Sequence, residues 1–474
     1  MRDKIIELAR KSGGLFFASS IATFFNFLFV FSLARLLGAA EYGYIPLARG
    51  SQLFIEAFLE LGLAAALIKR ISEKPASLEK VVGTSLSLKL LLGLFSSLIL
   101  IFLSTKLSSP LDLYILAISP FPLFSFAFSN MRSIYSAKMD LFKTSILTIL
   151  PDALRFFLGL LLFFAGFGVL SGILGFTFSA AVSFAVALLI LWRDKLLSFS
   201  FDTEEAKRQL AIGLFLNTQQ ISNYFFPSFV TILCALLLSI ADLSVVAVSI
   251  SFASLIYFFI SPLTSFFYPF ACQNNQEEGF YRFLSFLLRY WFSFVILSIL
   301  VVSFAAEFIF SLLGKSFLYG SRVFFLIAIA VFLDSFKSIS DYYFSSIDKS
   351  KLIVLAEASK FVSFFVILLA LLFTGASLSI SDIALAILLS FVLSFLIRLF
   401  WMYSSTQIEL SLIIKSVAIF FVFALIALHI RDVKVGLISL IAAALVLYLS
   451  GLITKKDFRY ALEIAGIRTF KHGR

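Results

Sequence analysis

Apolar stretches of 20–30 residues follow one another through nearly the whole chain of 474 residues. A helix rises 1.5 Å per residue, so about 20 such residues cross the ~30 Å of bilayer hydrocarbon. About fourteen spans are expected, near residues 13–37, 43–68, 82–105, 111–136, 144–168, 170–192, 209–239, 242–270, 283–306, 322–346, 352–374, 379–403, 411–430 and 433–453. With 61% of residues hydrophobic and 14% charged, the composition is far from that of a soluble domain. The expected fold class is an all-α polytopic membrane protein.

Lys and Arg gather in the short connections of one parity, such as "KRISEKPASLEK" and "WRDKLLSFSFDTEEAKRQ". The positive-inside rule then places both termini in the cytoplasm, and a cell (plasma or inner) membrane is the expected location. The net charge of +11 has the same origin: basic loops meet anionic headgroups, with no basic module for nucleic acid. Residues 1–12 read as a cytoplasmic amphipathic segment, with no cleavage site for a secretory signal. Cys234 and Cys272 make no metal or redox spacing, and His429 and His472 join no ligand cluster. "GKS" at 314–316 lacks the upstream glycine of a P-loop, so ATP hydrolysis is not expected. No cofactor is expected beyond a possible coupling ion, H+ or Na+.

Sliding the sequence by 205 residues lays 132–156 on 337–361 without a gap. Arg132 then matches Lys337, Asp152 matches Glu357, and Arg155 matches Lys360. A weaker echo pairs 14–43 with 213–244. This pattern reads as a parallel repeat: an N-lobe over 13–192, a linker at 193–208, a C-lobe over 209–403, two further spans over 404–453 and a basic tail at 454–474. In "PDALRFF" (151–157), Asp152 and Arg155 share a helix face. Each charge costs ~2.5–3.5 kcal/mol near the bilayer centre, so a wet cavity or a mutual pair is the cheap placement. A self-neutralising bridge between packed helices is the competing reading. Equivalent pairs in the two halves would flank a central cavity. Arg49, Gln52, Glu56 and Glu60 form a second polar stripe, Asp334, Lys337 and Asp341 a third, and Asn217, Gln220 and Tyr224 a fourth. Arg132 could also snorkel to the interface, Arg35 and Arg398 read as interface anchors, and Lys89 has no assigned role. The Phe excess reads as lipid-facing bulk and core packing, not as an aromatic binding box.

The segment 31–70 resembles the opening of polysaccharide-repeat flippases of the multidrug/oligosaccharidyl-lipid/polysaccharide exporter superfamily. The similar elements are "RLLG" at 35–38, "EYG" at 41–43 and "ELGL" at 60–63, followed by Lys69 and Arg70. In the second half, "SIADLS" keeps neither the glycines nor the aromatic of the first. The resemblance implies two six-helix lobes that carry a polyprenyl-(di)phosphate-linked oligosaccharide to the outer leaflet by alternating access. It also implies two extra helices for the lipid tail and no covalent catalysis. The expected partners are the lipid-linked glycan, membrane lipids, and a glycan polymerase or glycosyltransferases of the same pathway.

Arg49, Arg132, Arg155, Lys337, Lys360, Asn217 and Gln220 are the expected substrate contacts. Glu56, Glu60, Asp152, Asp334 and Glu357 are the expected charge-balancing or ion-coupling acids. Two alternatives stay open within the superfamily, a lipid II flippase and a drug or organic-cation antiporter. A membrane-embedded polymerase or glycosyltransferase is disfavoured because no outer loop is long enough to cover an active site.

Overall fold

A computed structural model describes residues 2–73, 77–260, 278–347, 349–373, 378–406, 410–429 and 433–452. Cys272, His472 and the basic tail lie outside these residues, as do the side chains of residues 1–13 and of His429. The described chain is helical and carries no strand. It divides into two compact units, 14–248 and 249–474, the second also taking in residues 1–13.

The first unit holds α1 (Arg2–Tyr42, from residue 14), α2 (Tyr44–Leu59), α3 (Leu63–Ser72), α4 (Leu78–Ser104), α5 (Leu111–Ile118), α6 (Phe121–Ala137), α7 (Leu141–Leu162), α8 (Val169–Arg193) and α9 (Thr203–Leu237). Helix α10 (Ile240–Ala253) runs across the division. The second unit holds α11 (Glu278–Leu313), α12 (Ser321–Asp334), α13 (Lys337–Ser346), α14 (Ser350–Phe373), α15 (Ile380–Ser405), α16 (Leu410–His429) and α17 (Val433–Leu449). Ten stretches among the described residues are long and apolar enough to cross a bilayer, or eleven if the bent pair α2–α3 is one span. Three shorter apolar helices, Tyr224–Leu237, Ile414–Ala427 and Val435–Leu449, lie where the hydropathy pattern places the seventh and last two spans. The chain is a multi-pass membrane protein.

Polar caps close helix ends near the span boundaries. Asp202 accepts from the backbone N–H groups of Glu204 and Glu205 at 3.0 Å, satisfying donors that the first turn of α9 leaves free. Ser379 and Asp382 form a reciprocal capping box at the start of α15. The break between α2 and α3 falls on Glu60, Leu61 and Gly62, with a bend of 46°. Leu61 and Gly62 both take left-handed φ values, 52° and 62°; glycine does this freely, whereas Leu61 pays a steric penalty.

Each unit has its own core. In the first, Leu67, Val81, Leu86, Met131, Ile134 and Leu191 pack together beneath α3, α4, α6 and α8. In the second, Trp291 is fully buried, donates its indole N–H to Ser335 Oγ at 2.9 Å, and packs on Phe336 and Phe395 at 5.0 and 5.5 Å. That hydrogen bond lets a polar atom sit in the apolar interior.

Candidate functional site

In the first unit, the stripe on α2 keeps its register. Arg49 donates to Gln52 Oε1 and stands 3.9 Å from Glu56 Oε2. Glu56 is buried, and its Oε1 accepts the Ser125 hydroxyl at 2.9 Å. Arg155 pairs with Asp152 one turn away on α7 and donates to Asn26 Oδ1 of α1 at 3.4 Å. The two arginine side chains keep 24% and 15% of their surface accessible. Arg132, on α6, is exposed and meets no carboxylate among the described residues. Two donors here are buried without a partner: Arg155 Nε and the amide nitrogen of Gln52, a residue with no exposed surface. Such orphans cost about 1–3 kcal/mol each, a cost that a bound acceptor would lift.

Lys89 gains a role that one-turn spacing on α4 does not reveal. It is fully buried and donates to Glu60 Oε1 at 2.6 Å and to the Glu60 carbonyl at 3.4 Å. It thus neutralises an acid and supplies a donor at the C-terminal end of a broken helix, where a cation is favoured. A pairing across 29 residues leaves no signal in local periodicity.

The second unit carries six charges in close mutual contact. Asp334 receives Lys337 at 3.0 Å and Lys360 at 3.3 Å, and its Oδ2 accepts the Tyr257 hydroxyl at 3.1 Å. Glu357 receives Lys360 at 2.6 Å and Arg398 at 2.5 Å. Arg398 also pairs with Asp341 and donates to Ser340 Oγ at 3.1 Å. Arg398 is therefore no interface anchor: it is 2% exposed and joins α15 to α13 and α14, because two buried acids need a cation with two-sided reach. Arg35, by contrast, is exposed. The positions matched by the 205-residue offset make the same contact, Asp152 with Arg155 and Glu357 with Lys360, each three residues apart. The side chains of Asn217 and Gln220 lie outside the described residues.

Charges outside the spans tie α9 to the end of α3. The Arg70 guanidinium grips Glu205 with Nε and Nη2 at 2.9 and 2.7 Å and also meets Glu73. Gln209 joins Glu205 Oε1 to the Val81 carbonyl, 3.0 Å to each. Burial pushes the Glu205 carboxyl up, but the Arg70 and Gln209 donors outweigh it and hold the group below its ordinary range. Asp194 is likewise held down by Lys143 and by the Tyr135 hydroxyl, at 2.5 and 2.7 Å.

Residues 32–318, more than half of the chain, match the family described as "Polysaccharide biosynthesis protein". The chain belongs to that family. No curated protein sequence matches this polysaccharide-biosynthesis family member. Its fold is similar to that of a lipid II flippase, MurJ, in an inward closed conformation: TM-score 0.70, 16% identity, 95% of this chain and 99% of that one. It is also similar to an outward-facing multidrug resistance MATE transporter of the MOP superfamily, with TM-score 0.59 and 16% identity over 84% of this chain and 95% of that one. The MATE multidrug transporter DinF-BH gives a TM-score of 0.58 and 17% identity over 84% of this chain and 95% of that one. The superfamily resemblance of residues 31–70 thus extends to the fold.

Proposed function

We propose that this family member is a flippase that moves a polyprenyl-(di)phosphate-linked oligosaccharide from the cytoplasmic to the outer leaflet by alternating access, for surface polysaccharide biosynthesis. The observation that carries this reading is the partly accessible basic group in the first unit, Arg49, Arg155 and Arg132, set among apolar spans. A diphosphate-sugar head cannot enter hydrocarbon without replacing its lost hydration, and guanidinium donors supply that replacement. Asp152 and Glu56 keep the unloaded arginines near neutrality. Of the five acids considered for ion coupling, Glu60, Asp152, Asp334 and Glu357 each meet a basic group directly. Glu56 meets the Ser125 hydroxyl and, at 3.9 Å, the Arg49 guanidinium, so among the described residues it is the acid least committed to a basic partner.

A lipid II cargo is the nearest alternative, since the structure matched over most of this chain is a lipid II flippase. The drug-antiporter reading has less support, because the MATE structures cover 84% of the chain against 95% for the flippase. The test is reconstitution of the full chain into vesicles with a fluorescent polyprenyl-diphosphate oligosaccharide. Outward movement is expected for the wild type and should disappear in the Arg49→Ala/Arg155→Ala double variant with insertion intact. Normal movement in that variant would reject the basic residues as cargo contacts, and ethidium efflux by the wild type would favour the antiporter.

A further inference from the structure

Helix α8 carries the run Ser171-Gly172-Ile173-Leu174-Gly175-Phe176. The two glycines bring neighbouring helices close. A Cβ on Gly175 would lie 3.2 Å from Gly159 Cα and 3.5 Å from the Arg155 carbonyl oxygen, so α7 sits almost against the α8 backbone. A Cβ on Gly172 would meet Leu33 of α1 at 3.1 Å and collide with Ile45 of α2. The next bulky residue after this small-residue face is Phe176, which is buried. Its ring therefore stands where α2 and α7 bring their charges together.

Both arginines lie over that one ring. The Arg155 guanidinium carbon is 4.5 Å from the Phe176 centroid and that of Arg49 is 5.4 Å from it. Arg49 also lies 4.4 Å from Phe121, and Arg155 lies 5.6 Å from Phe29. Phe29 and Phe121 meet Phe176 edge-on at 5.4 and 6.1 Å, which fixes the ring. The two guanidiniums can be no further apart than their two ring distances laid end to end. Two like charges so placed in a poorly solvated site repel, and the negative face of a shared ring offsets part of that repulsion. Stacking occupies the face of a guanidinium and leaves its in-plane N–H donors available. Arg155 Nε is a donor of this kind, buried and without a partner.

We propose that Phe176 is the positioning residue that brackets Arg49 and Arg155 into one anion-binding unit, and that this unit makes the site prefer a diphosphate over a single phosphate. The inference rests on the cargo reading above and adds to it the residue that sets the phosphate count. One guanidinium suffices for a monophosphate. Two held within that limit reward a second phosphate, and the ring they share sets the limit.

The test is calorimetric titration of the full chain in lipid nanodiscs with farnesyl diphosphate, farnesyl monophosphate and inorganic pyrophosphate. Wild type should bind the diphosphate more tightly than the monophosphate. Phe176→Leu should weaken diphosphate binding about tenfold, the size of two modest cation–π contacts, and leave the monophosphate nearly unchanged. Phe176→Tyr and Phe176→Trp, which keep a ring, should restore the preference. Adding Phe176→Leu to Arg49→Ala/Arg155→Ala should weaken binding no further. Pyrophosphate should show the same loss as farnesyl diphosphate, because the ring acts through the anion's partners. An equal loss for both prenyl probes, or a loss confined to the prenylated ones, would overturn the assignment in favour of a packing or lipid-contact role. Wild type that binds neither phosphate form would remove the cargo reading itself, whereas wild-type preference kept intact in Phe176→Leu removes only the role of the ring.

Discussion

The two compact units each place acids and bases inside apolar helices, but they treat them differently. In the second unit, Arg398 and Lys360 are buried and each touches two carboxylates, while Lys337 meets Asp334. Three bases and three acids neutralise one another across α12, α13, α14 and α15. In the first unit, Arg49 and Arg155 are partly accessible, Arg132 has no carboxylate among the described residues, and Arg155 Nε and the Gln52 amide nitrogen are buried without acceptors. A difference at one matched position contributes. Asp334, which pairs with Lys337, corresponds under the 205-residue offset to Ser129, so Arg132 has no equivalent acid beside it. A saturated cluster holds helices together, and an unsaturated one retains capacity for an outside anion.

The contrast can be broken most directly at Arg398. Arg398→Ala strands Asp341 in the interior, takes one of two cations from Glu357, and should cost about 3–5 kcal/mol, read as a large fall in the thermal midpoint of the purified chain. A midpoint like that of the wild type would mean that the second cluster is not structural. Next in size is Lys89→Ala, which leaves the Glu60 carboxylate without its cation and the Glu60 carbonyl at the α2–α3 break with the Leu63 N–H at 3.4 Å. It should destabilise by about 2–4 kcal/mol, and pairing it with Glu60→Gln should recover part of the loss. Arg49→Ala/Arg155→Ala sharpens the comparison from the other side. It should abolish cargo movement yet lower stability by less than either preceding change, because both side chains are partly solvated and two buried donors disappear or relax with them. A double variant that unfolds would place the first cluster in the same class as the second.

The smallest effect concerns pH at the α3–α9 tie. Glu205 is held below its ordinary value of 4.5, so the folded chain binds that proton less readily than the unfolded chain does. The associated stability is present in full above the ordinary carboxylate range and is lost as pH falls through and below 4.5. Melting followed from about pH 7 to about pH 3 should show a shallower acid limb in Glu205→Gln than in wild type. Identical limbs would deny the Arg70–Glu205 contact a role in acid sensitivity.

Much of this was legible one residue at a time. Spans are set by local hydropathy, and an i,i+3 pair such as Asp152 and Arg155 is fixed by helix geometry alone. The bend at "ELGL" was not legible in this way, since hydropathy runs one span over 43–68 across it. What escaped were contacts between distant residues. Lys89 looks isolated in sequence because its partner lies on another helix, and Arg398 resembles an interface anchor because charge near a span end usually is one. Phe176 is hidden among 62 phenylalanines, since composition does not distinguish a ring facing lipid from one beneath two arginines.

The sequence by itself therefore determined that this is a membrane-spanning helical protein and which residues carry charge into its apolar helices. These follow from the cost of hydrating or burying each side chain, which depends on the residue and its near neighbours. Only the tertiary structure decided which charges cancel and which remain available. A buried charge is stabilised by whatever helix packs against it, and that choice is made by close approaches such as that of Gly175 to α7, between residues separated along the chain and within a few ångströms in space.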